Sequence, residues 1–158
     1  MNKLDKDYQN LVLDVLNNGV LKETRNGETI SVFGRSIRHN MDDGFPLLTT
    51  KKLNFKNIWT ELVWFIAGDT NLGYLVDNDN FIWVGDSFKR YNNWLDNCSP
   101  GALIPEALSR LEFIERIKND DDFRRQWGDL GPIYGKQWRN FDGVDQLYGI
   151  IEQLRENP

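Results

Sequence analysis

Gly131-Pro-Ile-Tyr-Gly-Lys-Gln-Trp-Arg139 is the stretch on which the reading of this chain turns. Gly131, Pro132 and Gly135 make backbone turns expected there. Between and after them stand a phenol, an ammonium, an amide, an indole and a guanidinium. A surface loop needs the glycines but has no use for that series, which suits the holding of a flat, polar ligand. Just upstream, Asp120-Asp-Asp122 reads as a solvated charge cluster that ends the preceding segment. Downstream, Val144, Leu147, Tyr148, Ile151 and Leu154 recur at helical spacing and predict a last helix with one apolar face.

Farther out, Leu4, Tyr8, Leu11, Val12, Val15 and Leu16 predict a first helix, stopped by Asn17-Asn-Gly19. Asn26-Gly27 predicts a turn, Thr29 to Phe33 a strand broken by Gly34, and Ser36 to His39 a second extended piece. Residues 42–46 read as a loop, because Pro46 disfavours helix at Phe45. Phe55 to Ala67 is apolar almost all round and predicts a buried helix, ended by Gly68. Asp69 or Thr70 would cap a short helix through Tyr74 and Leu75. Residues 78–91 give no single pattern. Pro105 would open a helix whose stripe is Leu108, Leu111, Ile114 and Ile117. Without repeats or a linker, one domain is the economical expectation.

The length of 158 residues and a hydrophobic fraction of 40% allow a packed core rather than disorder. Nineteen basic against 24 acidic residues give a net charge of −5, which argues against a general nucleic-acid binder. One cysteine excludes an internal disulfide, and a single histidine leaves no zinc constellation. The longest apolar run, Leu62 to Ala67, is far short of the ~18 residues of a membrane span. No charged-then-apolar leader opens the chain, so a cytoplasmic location is expected.

Among single residues, Glu61 is the strongest candidate on physical grounds. Ile58, Leu62 and Phe65 surround it on the apolar helix, and a carboxylate is costly to bury there unless it is bonded. That is also how a fold prepares a general acid or base. The alternative is a polar stripe on which Glu61 bonds Asn57 or Lys56. Arg25, in a turn before a strand, could grip a phosphate through two parallel hydrogen bonds or could be a solvated surface residue. Lys51 and Lys52 suit an anion or simply end a charged loop. Cys98 lies in a polar segment with no neighbouring cation to depress its pKa and reads as an incidental thiol. His39 reads as structural. Trp59, Trp64 and Trp94 read as packing residues, while Trp83 and Trp138 have the better functional claim.

Taken in order, several segments resemble the N-terminal half of the thymidylate synthase family: Gly19, Arg25-Asn-Gly27, Gly44-Phe-Pro-Leu-Leu-Thr-Thr-Lys-Lys52, Glu61-Leu-Val-Trp-Phe65, Gly68-Asp-Thr-Asn71, Ile82-Trp83, Leu130 to Arg139 and Val144-Asp-Gln146. The resemblance implies an α+β fold, a mixed sheet with packed helices that is incomplete in this chain. Residues 1–158 would be the N-terminal portion of that domain, with a variable insertion at about 84–128. It implies reductive methylation of deoxyuridylate (dUMP) to thymidylate, with 5,10-methylenetetrahydrofolate as co-substrate and a cysteine thiolate as nucleophile.

By resemblance, Arg25 would bind the nucleotide phosphate and Lys51 the folate tail. Ile82 and Trp83 would pack on the folate rings. Glu61 would run proton transfers through water, and Tyr134 would help order that network. The complete family protein is a homodimer, so the expected partners are dUMP, folate and either a second copy or a complementary C-terminal half, with neither nucleic acid nor membrane. After Trp83 the run Val84-Gly-Asp-Ser-Phe88 differs from the family, which has acidic residues and a second tryptophan there. The chain ends at Asn157-Pro158, ahead of the family's paired arginines and its Pro-Cys-His nucleophile segment. This fragment alone is therefore expected to be inactive and to leave apolar faces without partners. Two rivals stand beside the synthase: a pyrimidine-nucleotide hydroxymethylase of the same superfamily, and a non-catalytic truncated protein that binds nucleotide or dimerises.

Overall fold

Helix α1 (Lys3–Asn18) starts where the Asn2 side chain accepts the Asp5 N–H at 2.7 Å. It stops at Gly19, whose N–H bonds the Val15 carbonyl at 2.9 Å. With φ −77° this glycine is not required by handedness. It is required by space, because a Cβ there would come within 2.4 Å of both Ile30 Cγ2 and the Val15 oxygen. Strands β1 (Val20–Thr24) and β2 (Gly27–Ser31) then pair antiparallel, with Val20 opposite Ser31 and Thr24 opposite Gly27. The predicted strand thus begins two residues earlier and ends at Ser31, and its partner β1 went unpredicted. Nearly every residue of both strands is exposed, so no apolar–polar alternation marks β1. Residues 36–39 join no ladder. A single 3-10 turn, Met41–Asp43, follows, capped by the Asn40 side chain.

The structure, a computed structural model, describes residues 2–24, 27–98 and 107–157. The chain separates into two units, residues 1–53 and 54–158. The first is held inside by Asp5, 2% exposed, whose carboxylate accepts the Thr49 N–H at 2.8 Å and the Thr49 hydroxyl. The Thr49 hydroxyl, and then its N–H, hold the Asp5 carboxyl below the usual carboxylate range.

The second unit carries the main core. It is built from α2 (Phe55–Ile66), α3 (Gly73–Asp77), α4 (Val84–Asp96), α5 (Arg110–Asn119), α6 (Asp121–Trp127), α7 (Tyr134–Arg139) and α8 (Gln146–Glu156). Trp64, Leu72, Leu75, Val76, Val84, Tyr91, Phe113, Ile114, Ile117, Phe123 and Trp127 are buried together. Tyr91 sits edge-on to Phe123 and Trp127, and Phe113 meets Phe88 and Tyr91 at a tilt and Phe123 edge-on, all at 5.3–5.5 Å. Polar atoms inside are matched. The Trp64 indole donates to Asn71 O at 2.9 Å and the Ser87 hydroxyl to Trp127 O. Arg124 donates to the Ile117 and Lys118 carbonyls at the end of α5 and grips Asp77 with both terminal nitrogens.

Several expectations are corrected here. The helix at 55–67 is not buried all round: Thr60 and Trp64 are, but Phe55, Ile58, Trp59, Leu62 and Ile66 are exposed. The first N–H of α3 is met by Asn71, which accepts from Gly73 at 2.8 Å, and not by Asp69 or Thr70. Pro105 lies outside the described residues; α5 starts instead at a reciprocal cap between Ser109 and Glu112. Its buried stripe is Phe113, Ile114 and Ile117, and Leu111 is 75% exposed. Asp120 is no mere solvated cluster, since it accepts from Phe123 N and so opens α6. Val84, Tyr91, Phe113, Ile114, Ile117, Phe123 and Trp127, all within 84–128, supply most of the buried core. Among the described residues the hairpin is the only sheet, so the α+β chain is rich in helix and poor in strand.

Candidate functional site

Three elements of the second unit meet around Phe65 and Trp83, beside Glu61. Helix α2 presents Glu61, half-buried, with Phe65 one turn further on. The loop before α4 is fixed by Asn80, 1% exposed, whose amide donates to Asn57 O on α2 and accepts the Ile82 N–H. That anchor places Trp83 at the start of α4, where its indole N–H donates to Glu61 Oε1 at 2.6 Å. The sequence reading left Glu61 a choice of Asn57 or Lys56; the bonded partner is Trp83. The cost of drawing a carboxylate out of water is offset by this hydrogen bond.

The third element is the Gly131–Arg139 stretch. Gly131 takes φ +76°, and its N–H bonds Asp129 Oδ1 at 2.9 Å. That N–H, followed by the Thr70 hydroxyl, holds the Asp129 carboxyl below its usual range. Tyr134 opens α7, and Gly135 lies against the end of α2. A Cβ on Gly135 would meet Asp69 O at 2.8 Å and Phe65 O at 3.2 Å, so only glycine allows this approach. The Tyr134 ring stands edge-on to Phe65 at 5.2 Å and to Trp83 at 6.1 Å. Tyr134 as a whole stays 53% exposed, beside a Trp83 whose neighbour Ile82 is 66% exposed.

Four of the predicted site residues, Glu61, Ile82, Trp83 and Tyr134, therefore lie in one neighbourhood. Lys51 is exposed and belongs to the first unit. Arg25 lies outside the described residues. Within the signature itself two polar groups on exposed residues bond locally: Gln137 donates to Pro132 O at 3.1 Å, and Arg139 pairs with Asp145 at 3.0 Å. The series read as ligand-holding thus divides, with Gln137 and Arg139 bracing the stretch and Tyr134 left open. Cys98 is half-buried and its thiol faces Trp94 O at 3.3 Å. The His39 ring nitrogen lies 2.7 Å from Gly44 O, a loop-bracing contact. Phe65 and Asn80 were missed by the sequence reading. Phe65 was marked only by its place one turn after Glu61, and Asn80 by nothing beyond a polar run.

Of residues 84–88, Val84, Ser87 and Phe88 are used for packing, while Gly85 and Asp86 are exposed. Val84 and Ser87 are fully buried. Among the described residues no group of acidic, His or Cys side chains could hold a metal ion, and no helix is long and apolar enough to cross a membrane.

Comparison with known proteins matches residues 6–158 to the thymidylate synthase family model. The chain is 45% identical over 153 residues to the thymidylate synthase of Malacoplasma penetrans, 47% over 154 to that of Mycoplasma genitalium, and 48% over 153 to that of Phytoplasma mali. Each match covers 96–97% of this chain and 50–51% of the relative, so the chain spans about half the length of the curated relatives it matches. With the family model covering nearly its whole length, the chain belongs to the thymidylate synthase family.

Proposed function

We propose that this chain supplies the N-terminal part of a thymidylate synthase site, which methylates dUMP to thymidylate with 5,10-methylenetetrahydrofolate and leaves dihydrofolate. The observation that carries this reading is the Glu61 carboxylate held at 2.6 Å by the Trp83 indole, next to the open Tyr134 ring. A carboxylate so fixed can exchange protons through water with a bound pyrimidine and folate, while its remaining oxygen stays free to accept. Trp83 and Ile82 offer the flat apolar wall against which folate rings would stack. Tyr134 contributes a hydroxyl to the same water network. Lys51 would meet the anionic folate tail and Arg25 the nucleotide phosphate.

The attacking thiolate is assigned to residues beyond those of this chain, since Cys98 is committed to the end of α4. The partner that completes the site is then a C-terminal half of the family, with a homodimer as the assembled form and the cytoplasm as its place. The relatives' shared name favours methylation over hydroxymethylation. The test combines this chain with a separately produced C-terminal half of the Mycoplasma genitalium relative and follows dihydrofolate formation. Turnover should appear only in the mixture and should fall by about 10²-fold or more with Glu61→Gln. Tetrahydrofolate with a hydroxymethylated product would establish the hydroxymethylase instead. Tight dUMP binding without turnover in any mixture would leave the non-catalytic rival standing.

A further inference from the structure

We propose that Phe65 is a positioning residue: its ring is the shared wedge that sets the Trp83 indole onto Glu61 and holds Tyr134 beside it. Phe65 lies at the centre of four aromatic rings. It meets Trp83 at 6.2 Å and 82°, Tyr134 at 5.2 Å and 70°, and Trp138 at 5.6 Å and 65°. All three are edge-to-face contacts, the geometry that aromatic quadrupoles favour and that resists sliding. The fourth, Trp64, is tilted at 5.4 Å and is anchored independently by its own bond to Asn71 O.

The consequence follows from where these rings are attached. Trp83 is the N-cap of one element and Tyr134 the first residue of another, and neither start is held by a side-chain cap. Trp83 is tied to α2 through the Asn80 anchor on Asn57 O, the Trp64 ring and the Phe65 ring, whereas Tyr134 is tied to it through the Phe65 ring and the Gly135 approach just beneath. Removing the Phe65 ring leaves a gap beside the Trp83–Tyr134 pair into which either side chain can rotate. Indole rotation breaks the 2.6 Å bond to Glu61, because a single N–H direction makes that bond. Phe65 itself touches no substrate in this reading. The role of the wedge in turnover rests on the function proposed above, whereas its hold on Trp83 does not.

The test reads that hold directly, in the 158-residue chain and without any assay of activity. Hydrogen exchange at the indole Nε1–H groups is followed by NMR in the wild type, Phe65→Leu and Phe65→Tyr. In Phe65→Leu the Trp83 indole should exchange at least about tenfold faster, while the buried Trp64 indole keeps its wild-type rate as an internal measure of folding. Phe65→Tyr, which keeps the ring, should restore Trp83 protection. Trp83 exchange that stays within about twofold of wild type in Phe65→Leu would overturn the proposal. If Phe65→Leu instead loosens both indoles together, the wild type decides. Nuclear Overhauser contacts from the Phe65 ring to both Trp83 and Tyr134 sustain the wedge, and their absence removes it. No turnover in the mixed-halves assay with the wild-type chain, together with faster Trp83 exchange in Phe65→Leu, would count against the catalytic reading and leave the wedge intact.

Discussion

Helices α5 and α8 look alike in sequence and end differently in space. Each carries an apolar stripe at helical spacing and each opens on a side-chain cap, Ser109 in one and Asp145 in the other. Helix α5 buries Phe113, Ile114 and Ile117 against α4 and α6. Helix α8 buries nothing: Tyr148 and Leu154 are about three-fifths exposed and Ile151 is 41% exposed. A stripe therefore says that a helix has a face to cover, not that the cover lies nearby in the chain. For α5 the cover comes from segments close in sequence. For α8, covered by α7 only near Leu147, and for the outer face of α2, the described residues leave most of the stripe exposed.

The sharpest way to break that contrast is to truncate the covered face. Phe113 is fully buried among three aromatic rings. Phe113→Ala should cost about 3–5 kcal/mol, a large share of what a domain of this size holds in reserve. Urea unfolding followed by tryptophan fluorescence measures it. A cost below about 1 kcal/mol would mean that the α4–α6 core is loosely packed and that α5 is no better covered than α8.

Gly135→Ala comes next. Its new methyl would meet backbone oxygens of Asp69 and Phe65, which cannot yield as a flexible side chain can. An overpacking cost of about 1–3 kcal/mol is expected, with α7 pushed away from α2. Gly149→Ala on α8, where a Cβ meets nothing within 4 Å, is the matched control and should be neutral or stabilising. Equal costs for the two would remove the close-approach argument for the signature glycine.

How much of this was legible beforehand divides along the same line. The ends of α1 and α2 and the core-facing Ile114 and Ile117 follow from spacing and stop signals, which are local. The signature glycines were legible as turns, but Gly135 proves to be a packing glycine, which only the neighbouring α2 explains. Helix α4 was illegible because Trp83 gives no side-chain cap and polar residues interrupt the run, although Val84, Ser87, Phe88 and Tyr91 do keep helical spacing. The pair Ser109 and Glu112 was a readable start signal that the nearby Pro105 overshadowed. At the site, Glu61 and Tyr134 were identified from residue type and context. The bond from Trp83 was not, because it joins positions 22 residues apart whose meeting depends on the buried Asn80.

A smaller effect is expected in the first unit, where Asp5 and Thr49 join α1 to the loop before Lys51. The Asp5 carboxyl has a depressed folded pKa, so its stabilising contribution is present above the unfolded value near ~4 and is lost as pH falls through the folded value. Asp5→Asn should lower the stability of this unit at neutral pH and flatten its decline between neutral and acidic pH. Amide exchange at Thr49 against pH reports it. An unchanged acid profile in Asp5→Asn would show that another carboxylate sets the acid limit.

The smallest change in monomer stability should come from the uncovered face itself. Leu154 is 61% exposed, so Leu154→Ala removes few contacts and should shift unfolding by no more than about 0.5 kcal/mol. Its larger consequence lies in association. Exposed Tyr148, Ile151 and Leu154 on α8, with Phe55, Ile58, Trp59, Leu62 and Ile66 on α2, leave apolar surface that water solvates poorly. The 158-residue chain should therefore associate as its concentration rises, and Leu154→Ala should weaken that association while the core cost stays near zero. Sedimentation equilibrium across a range of concentrations separates the two effects. A monomer at every concentration with an unchanged Leu154→Ala variant would show that these faces tolerate water, and the difference between α5 and α8 would then be one of exposure without consequence. Association that weakens in Leu154→Ala but not in Leu111→Ala, an exposed leucine on the well-covered α5, would place the demand for a partner on the uncovered faces rather than on exposed leucines in general.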